Sequence, residues 1–240
     1  MKRFSKYLSE DFQNTARFHS ELNPILWENE KLRPSIRQKL LDFATTWADF
    51  AKIPPNLIED ITLVGGSAGY NYTDKSDLDV HILLDRNKLG RRDLVDELLQ
   101  TKKSLWGLQH HVTIAGLPIE GYAQDRLEGH PKSQGVYSIL NDVWLQKPEH
   151  PPVLDIESPS FKSKVQKYID QVDHLINTNA TLSEFKRLKA KLKDMRSTGL
   201  SRSGEYDQNN IIFKTLRDLG VLDRMTKYVR DTTDKKLSGG

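Results

Sequence analysis

Apolar residues recur along the chain at two different spacings, and the change of spacing separates helical stretches from strands. From Ser35 to Phe50 they follow a helical period. Pro34 stands where a helix can begin, and the pair Pro54-Pro55 ends it. The first 50 residues as a whole are therefore predicted to be helical.

Short apolar runs bounded by Gly, Pro and Asp follow this helix, which is typical of strands. An amphipathic helix is predicted at 91–105. Gly116-Leu117-Pro118 is predicted as the turn of a hairpin. The predicted strands are 57–64, 77–84, 110–115, 119–124, 136–140 and 143–146.

Residues 147–152 are rich in proline and read as a linker, and helical periodicity resumes after them. Ser158 is predicted to cap the first of four helices, and the polar tail 231–240 is predicted to be mobile. We therefore predict an α+β fold with two domains. Residues 1–147 form a small mixed β-sheet core flanked by N-terminal helices, and residues 153–240 form a helical domain.

The predicted strand 77–84 carries the first candidate chemistry. Side chains alternate across a strand, so Asp77, Asp79 and His81 share one face while the residues between them point into the core. Two neighbouring carboxylates repel each other, and a divalent cation is the simplest compensation. Oxygen ligands favour Mg²⁺ or Mn²⁺.

A glycine-rich turn, Gly65-Gly66-Ser67, ends the preceding strand ten residues before Asp77. Glycines let a phosphate approach the backbone, and N–H groups in such a turn can bind an anion. Ser67 adds a hydroxyl donor. A triphosphate bound here would lie beside the two aspartates.

A third carboxylate is needed if two metal ions are to stabilise the entering and leaving oxygens of an in-line displacement. Glu120 is the best candidate, because on the predicted strand 119–124 it faces away from the core with Tyr122 and Gln124. Asp125 is the fallback, one residue out of phase.

The glycine–serine turn, the Asp77-x-Asp79 pair and the later strand acid together resemble the DNA polymerase beta-type nucleotidyltransferase superfamily. The resemblance covers about residues 57–125. It implies Mg²⁺-dependent transfer of a nucleoside monophosphate from an NTP to a hydroxyl, with release of pyrophosphate. It also implies that Gly65, Gly66 and Ser67 bind the triphosphate. Asp77, Asp79 and Glu120 would hold two Mg²⁺ or Mn²⁺ ions, although the family usually has Asp at the third position.

Charge is unevenly distributed along the chain. Residues 151–240 carry 17 Lys and Arg against 12 Asp and Glu, whereas residues 1–150 carry 19 against 21. The densest basic stretch, Lys186 to Arg202, suits a nucleic-acid backbone, although a solvated helix face is an equally good interpretation. Lys164 and Lys167 are candidate cations for the triphosphate, with surface solvation as the alternative.

The composition limits the class of protein and the kinds of metal site that the chain can form. Hydrophobic residues make up 37% and charged residues 29%, as in globular proteins, and the absence of cysteine excludes disulfides and Cys-based zinc sites. No apolar run is long enough for a membrane span, and a cytoplasmic location is expected. The oligomeric state and the base of the NTP are not encoded in any motif.

The sequence therefore predicts a nucleotidyltransferase that acts on a hydroxyl acceptor, with an RNA or DNA end favoured because of the basic C-terminal half. Transfer to a protein, a small molecule or a second nucleotide stays open. The alternative from another class is a catalytically silent module that binds nucleotide or RNA.

Overall fold

A computed structural model describes residues 18–74, 76–131, 133–151, 155–156 and 158–238. Residues Phe18–His150 form one compact unit, and the described residues from Pro151 onward belong to a second. The helical prediction for residues 1–17 lies outside the described part of the chain.

The first unit is built on a six-stranded mixed sheet. Its strands are β3 (Ile58–Val64), β4 (Leu78–Leu84), β5 (Thr113–Ile114), β6 (Leu117–Asp125), β7 (Val136–Ser138) and β8 (Val143–Gln146). They lie in the order β5-β6-β4-β3-β7-β8. Strands β4 and β6 pair in parallel, and the other neighbours pair antiparallel. The predicted α+β class is confirmed.

Residues 18–33 are not helical, so the helical prediction is wrong for this segment. It contains a two-stranded hairpin of β1 (Trp27–Glu28) and β2 (Lys31–Leu32). Tertiary contacts override local periodicity here. The indole N–H of Trp27 donates to the Ser67 carbonyl at 2.9 Å, and its ring stacks on Trp144.

The hairpin of β5 and β6 is present, but its turn lies one residue earlier than predicted. Ala115 and Gly116 occupy the turn with φ values of 53° and 81°. Two consecutive positive φ angles are typical of a tight two-residue hairpin turn. Leu117 and Pro118 therefore belong to β6, which sets the register of the whole strand.

Two helices flank the sheet, α1 (Pro34–Ala51) and α2 (Arg92–Gln109). Trp47 of α1 is completely buried, and a Cβ added to Gly121 of β6 would come within 2.7 Å of its ring. Helix and strand approach this closely because residue 121 has no side chain. On α2, the buried ring of Trp106 contacts Phe43 and Phe50 of α1 edge-on.

The described part of the second unit contains four α-helices: α3 (Pro159–Asn177), α4 (Leu182–Ser203), α5 (Gln208–Asp218) and α6 (Val221–Leu237). The cap predicted at Ser158 is confirmed, because its hydroxyl accepts the Phe161 amide. Thr181 and Glu184 form a capping box on α4. Among the helices that the structure describes, none is long and apolar enough to cross a membrane.

The mobile tail predicted at 231–240 is wrong for residues 231–237, because α6 continues to Leu237. Polar residues stabilise this helix through neighbours four positions apart, such as the Lys227–Asp231 ion pair at 2.5 Å. Residues 239 and 240 lie outside the described part of the chain.

The close approach at Gly121 predicts that Gly121→Ala will lower the free energy of unfolding by about 1–3 kcal/mol, because the new methyl overlaps the Trp47 ring. Urea unfolding followed by tryptophan fluorescence measures this unit alone, since all four tryptophans lie within residues 18–150. The control is Gly107→Ala on α2, where nothing lies within 4 Å and the helix should gain up to about 1 kcal/mol. Equal stability of the two variants would contradict the packing argument.

Candidate metal centre

The parallel pairing of β4 and β6 brings two of the predicted acids together. Asp79 lies directly opposite Glu120, and His81 lies opposite Tyr122. Because side chains alternate along both strands, these four residues emerge on one face of the sheet. Asp77 immediately precedes β4 and lies in phase with Asp79.

Asp77, Asp79 and Glu120 each offer a carboxylate oxygen, and these oxygens all lie within 4.8 Å of one another. Both aspartates are half-buried, whereas the Glu120 side chain is 51% exposed. The cluster is therefore open to solvent on the Glu120 side. An all-oxygen donor set of this kind suits a hard divalent cation such as Mg²⁺ or Mn²⁺.

The glycine turn lies directly against this cluster. Gly65 has a φ of 75°, in the left-handed region, and a Cβ at this position would clash with Oδ2 of Asp79. Only glycine satisfies both conditions without strain. The turn that was predicted to bind phosphate is thus in contact with one of the predicted metal ligands.

The Ser67 side chain has a different environment from the one expected of a phosphate ligand. It is fully buried, and its hydroxyl donates to the Asp77 carbonyl at 2.6 Å. This bond ties the glycine turn to the start of β4. Residues Gly66–Ala68 form a 3₁₀ turn, closed by the amides of Ala68 and Gly69. The amides of Gly66 and Ser67 come first in this turn, where N–H groups have no carbonyl of the same turn to bind.

Lys103 of α2 is part of the site and was missed by sequence reasoning. Its ammonium contacts Glu120 Oε2 at 3.0 Å and lies 5.6 Å from the centre of the Tyr122 ring. The sequence alone does not distinguish Lys103 from the other cations of α2. Only the packing of α2 against β6 shows that its side chain reaches the acidic cluster. Lys103 offsets part of the negative charge of the three acids.

His81 is held as a neutral imidazole. Burial lowers its pKa to about 4, despite the opposing effect of a hydrogen bond with Gln124. The Gln124 amide donates to the Glu128 carbonyl at 2.9 Å, which leaves Oε1 to accept the Nδ1 proton of His81 at 2.8 Å. His81 therefore keeps its Nε2 lone pair.

Asp125 lies at the other end of β6, opposite Leu84 rather than Asp79. It is fully buried and accepts the Leu127 amide at 2.9 Å, while Arg92 lies 3.4 Å from its Oδ2. Its contacts are those of a structural carboxylate, and it has no place in the acidic cluster.

Two aromatic residues that follow the glycine turn already have ring partners. Tyr70 stacks on His150 at 4.2 Å, and Tyr72 stacks on His19 at 3.8 Å.

The two candidate triphosphate cations lie on α3, in the other unit. Lys164 donates to Gln208 at 2.7 Å, and Lys167 lines a cavity of about 730 Å³ between α3 and α4.

No protein-family model matches this chain, and no curated protein matches it. A search of solved structures found similarity to the STING-associated CdnE c-di-GMP synthase from Capnocytophaga granulosa. The two are 13% identical, the alignment covers 100% of this chain and 95% of the other, and the TM-score is 0.20. A score this low supports no inference about activity, so any function has to be argued from the residues of this chain.

We expect Mg²⁺ or Mn²⁺ to raise the melting temperature of the first unit, because an ion that binds only the folded state stabilises it by mass action, by about 2.7 kcal/mol at 100 times Kd. Asp77→Asn with Asp79→Asn should abolish this shift. In EDTA the same variant should still unfold cooperatively, since the apolar residues between the acids, not the acids themselves, form the core.

The matched control is Asp49→Asn with Glu21→Gln, which removes two exposed acids outside the cluster and should keep the full metal-induced shift. Tryptophan fluorescence during heating measures both variants. An equal shift in the Asp77 and Asp79 variant would place the ion elsewhere.

Proposed function

We propose that this protein is a metal-dependent nucleotidyltransferase that moves a nucleoside monophosphate from an NTP to a hydroxyl acceptor and releases pyrophosphate. The convergence of three carboxylate oxygens within 4.8 Å, directly beside a glycine turn, supports this proposal more than any other observation. The order of these parts along the chain is the one that the superfamily resemblance implies.

The turn and the acids have complementary roles in this proposal. The backbone amides at the start of the 3₁₀ turn, Gly66 and Ser67, bind the triphosphate, since adjacent N–H groups in a turn attract anions. The buried Ser67 hydroxyl holds the turn against β4 through the Asp77 carbonyl. Gly65 keeps the turn close to Asp79.

The reaction is an in-line displacement at the α-phosphorus. The acceptor oxygen forms a bond to phosphorus, the bond to the bridging oxygen breaks, and pyrophosphate leaves with that electron pair. Bound divalent ions, held by Asp77, Asp79 and Glu120, would supply charge stabilisation for the entering and leaving oxygens. Glu120 is the most exposed of the three acids, so we assign to it the acceptance of the hydroxyl proton.

Lys103 has a role in the site both without and with bound nucleotide. Without nucleotide its ammonium pairs with Glu120. When cations neutralise the acids, the same ammonium can turn to a phosphate oxygen, because lysine is a flexible point charge with three donors. His81 stays neutral and adds no charge to the cluster near pH 7.

A nucleic-acid end is our proposed acceptor. Helix α4 presents Lys186, Lys189 and Lys193 to solvent at helical spacing, which forms a basic stripe on one side of the helix. Such a stripe suits a phosphate backbone read without sequence preference. The labelled product identifies the acceptor: a nucleic acid, or instead a protein, a small molecule or a second nucleotide.

Incubation with α-labelled NTPs, Mg²⁺ and a mixture of RNA, DNA and protein should give labelled product and pyrophosphate. Asp77→Ala with Asp79→Ala should abolish the transfer while the tryptophan-monitored melting curve stays intact. Glu120→Gln should reduce it nearly as far, whereas Asp125→Asn should retain transfer, because Asp125 lies at the far end of β6. NTP binding with no transfer by the wild type would favour a catalytically silent module.

The basic stripe predicts salt-sensitive binding of RNA or single-stranded DNA. Lys186→Ala, Lys189→Ala and Lys193→Ala together should reduce the slope of log K against log salt by about 2, since each lost phosphate contact contributes about 0.7. A control that changes Lys227, Lys235 and Lys236 to Ala on α6 should leave the slope unchanged. Equal effects of the two triple variants, measured by fluorescence anisotropy, would refute a specific role for α4.

A further inference from the structure

Helix α2 has two apolar faces, although a helix on the surface of a single domain needs only one. Leu99 and Trp106 are buried against the sheet and α1. A second set, Leu94, Leu98, Leu105 and Leu108, is 54%, 51%, 39% and 80% exposed. Four exposed leucines on one face of a helix form an apolar stripe that is interrupted only at Thr101, and exposed apolar patches commonly mark interaction surfaces.

The exposed leucines have the spacing of a coiled-coil seam. Counting from Leu94, positions 94, 98, 101, 105 and 108 are separated by steps of four and three. This alternation is the heptad pattern that keeps one stripe facing a partner helix. Thr101 is the one member of the stripe that is not leucine.

We propose that this stripe is a parallel coiled-coil interface with the α2 helix of a second copy of the chain. The charges beside the stripe support that occupant. Glu97 and Lys102 occupy the flanking g and e positions, and Lys102 follows Glu97 by five residues. In a parallel two-stranded coil, a g residue meets the e residue found five positions later on the partner. Each copy therefore supplies one Glu97 and one Lys102, and the dimer has two opposite-charge pairs.

The described residues of the helical unit offer no matching surface. Among the large hydrophobic residues described between 155 and 238, Leu237 is the only exposed one, and it lies at the end of α6. A seam of four leucines needs an apolar partner of comparable length. A second α2 presents an identical seam, which a twofold axis makes self-complementary.

The geometry of α2 also allows two copies to meet. At 100° per residue, Leu99 and Trp106 lie about 120–140° around the helix from the stripe, so the sheet of each copy is directed away from its partner. The helix is already packed on its own sheet, so dimerisation carries none of the cost of helix nucleation. Lys102 is half-buried, with its ammonium 4.9 Å from the Phe50 ring, and lies at the edge of the stripe.

Sedimentation velocity on the full chain from about 1 to 100 µM tests the proposal, because a dimer must grow with concentration by mass action. The mass should rise toward twice the 27.6 kDa of the chain. Leu98→Glu with Leu105→Glu should hold it at the monomer value. Val143→Glu with Leu145→Glu replaces residues on β8 that are at least about as exposed, and it should leave the dimer intact. Circular dichroism establishes that both variants are folded.

Charge reversal tests the orientation of the helices. Glu97→Lys and Lys102→Glu should each raise the dissociation constant by several-fold, and the double variant should return it toward wild type. A monomer at every concentration would overturn the interface. A dimer insensitive to both single reversals, or one that survives the double leucine variant, would also overturn it.

Discussion

The candidate site depends on one backbone constraint, the parallel pairing of β4 with β6 in a register that sets Asp79 opposite Glu120. Carboxylates on adjacent strands repel each other, so this register is electrostatically unfavourable when nothing compensates. The strands adopt it because their other faces are apolar and buried, as the full burial of Leu78, Val80 and Ile82 shows. A shift by one residue would move those three side chains out of the core. Hydrophobic packing therefore holds the acids together.

Among the described residues, Lys103 of a neighbouring helix compensates for part of this repulsion. Lys103 reaches Glu120 because α2 packs across β6, and the packing of α2 depends on Leu99 and Trp106. The Lys103 ammonium offsets at most one of the three carboxylate charges, and the charge that it leaves is negative. That residual charge is what favours a divalent ion, and it links the stability of the fold to the chemistry proposed for the site.

Sequence patterns were sufficient for those parts of the structure that local rules determine. Strand alternation predicted that Asp77, Asp79 and Glu120 would share a face, and the structure brings all three together. The predicted position of the hairpin turn was wrong by one residue. The turn is formed by Ala115 and Gly116, which both have positive φ angles, and Pro118 belongs to the strand that follows. The β1–β2 hairpin was missed because its stability comes from distant partners of Trp27, Ser67 and Trp144, which no local window contains.

Two features required the packed structure. The Ser67 hydroxyl was expected to face the phosphate, but burial directs it to the Asp77 carbonyl, where it positions the turn. Helix α2 was recognised as amphipathic from a single pattern, although it carries two apolar stripes that periodicity alone merges. Burial separates them: one stripe packs on the sheet and the other remains exposed. Lys102 borders the exposed stripe, and the adjacent Lys103 contacts Glu120. The proposed dimer interface and the electrostatics of the site therefore depend on the same helix.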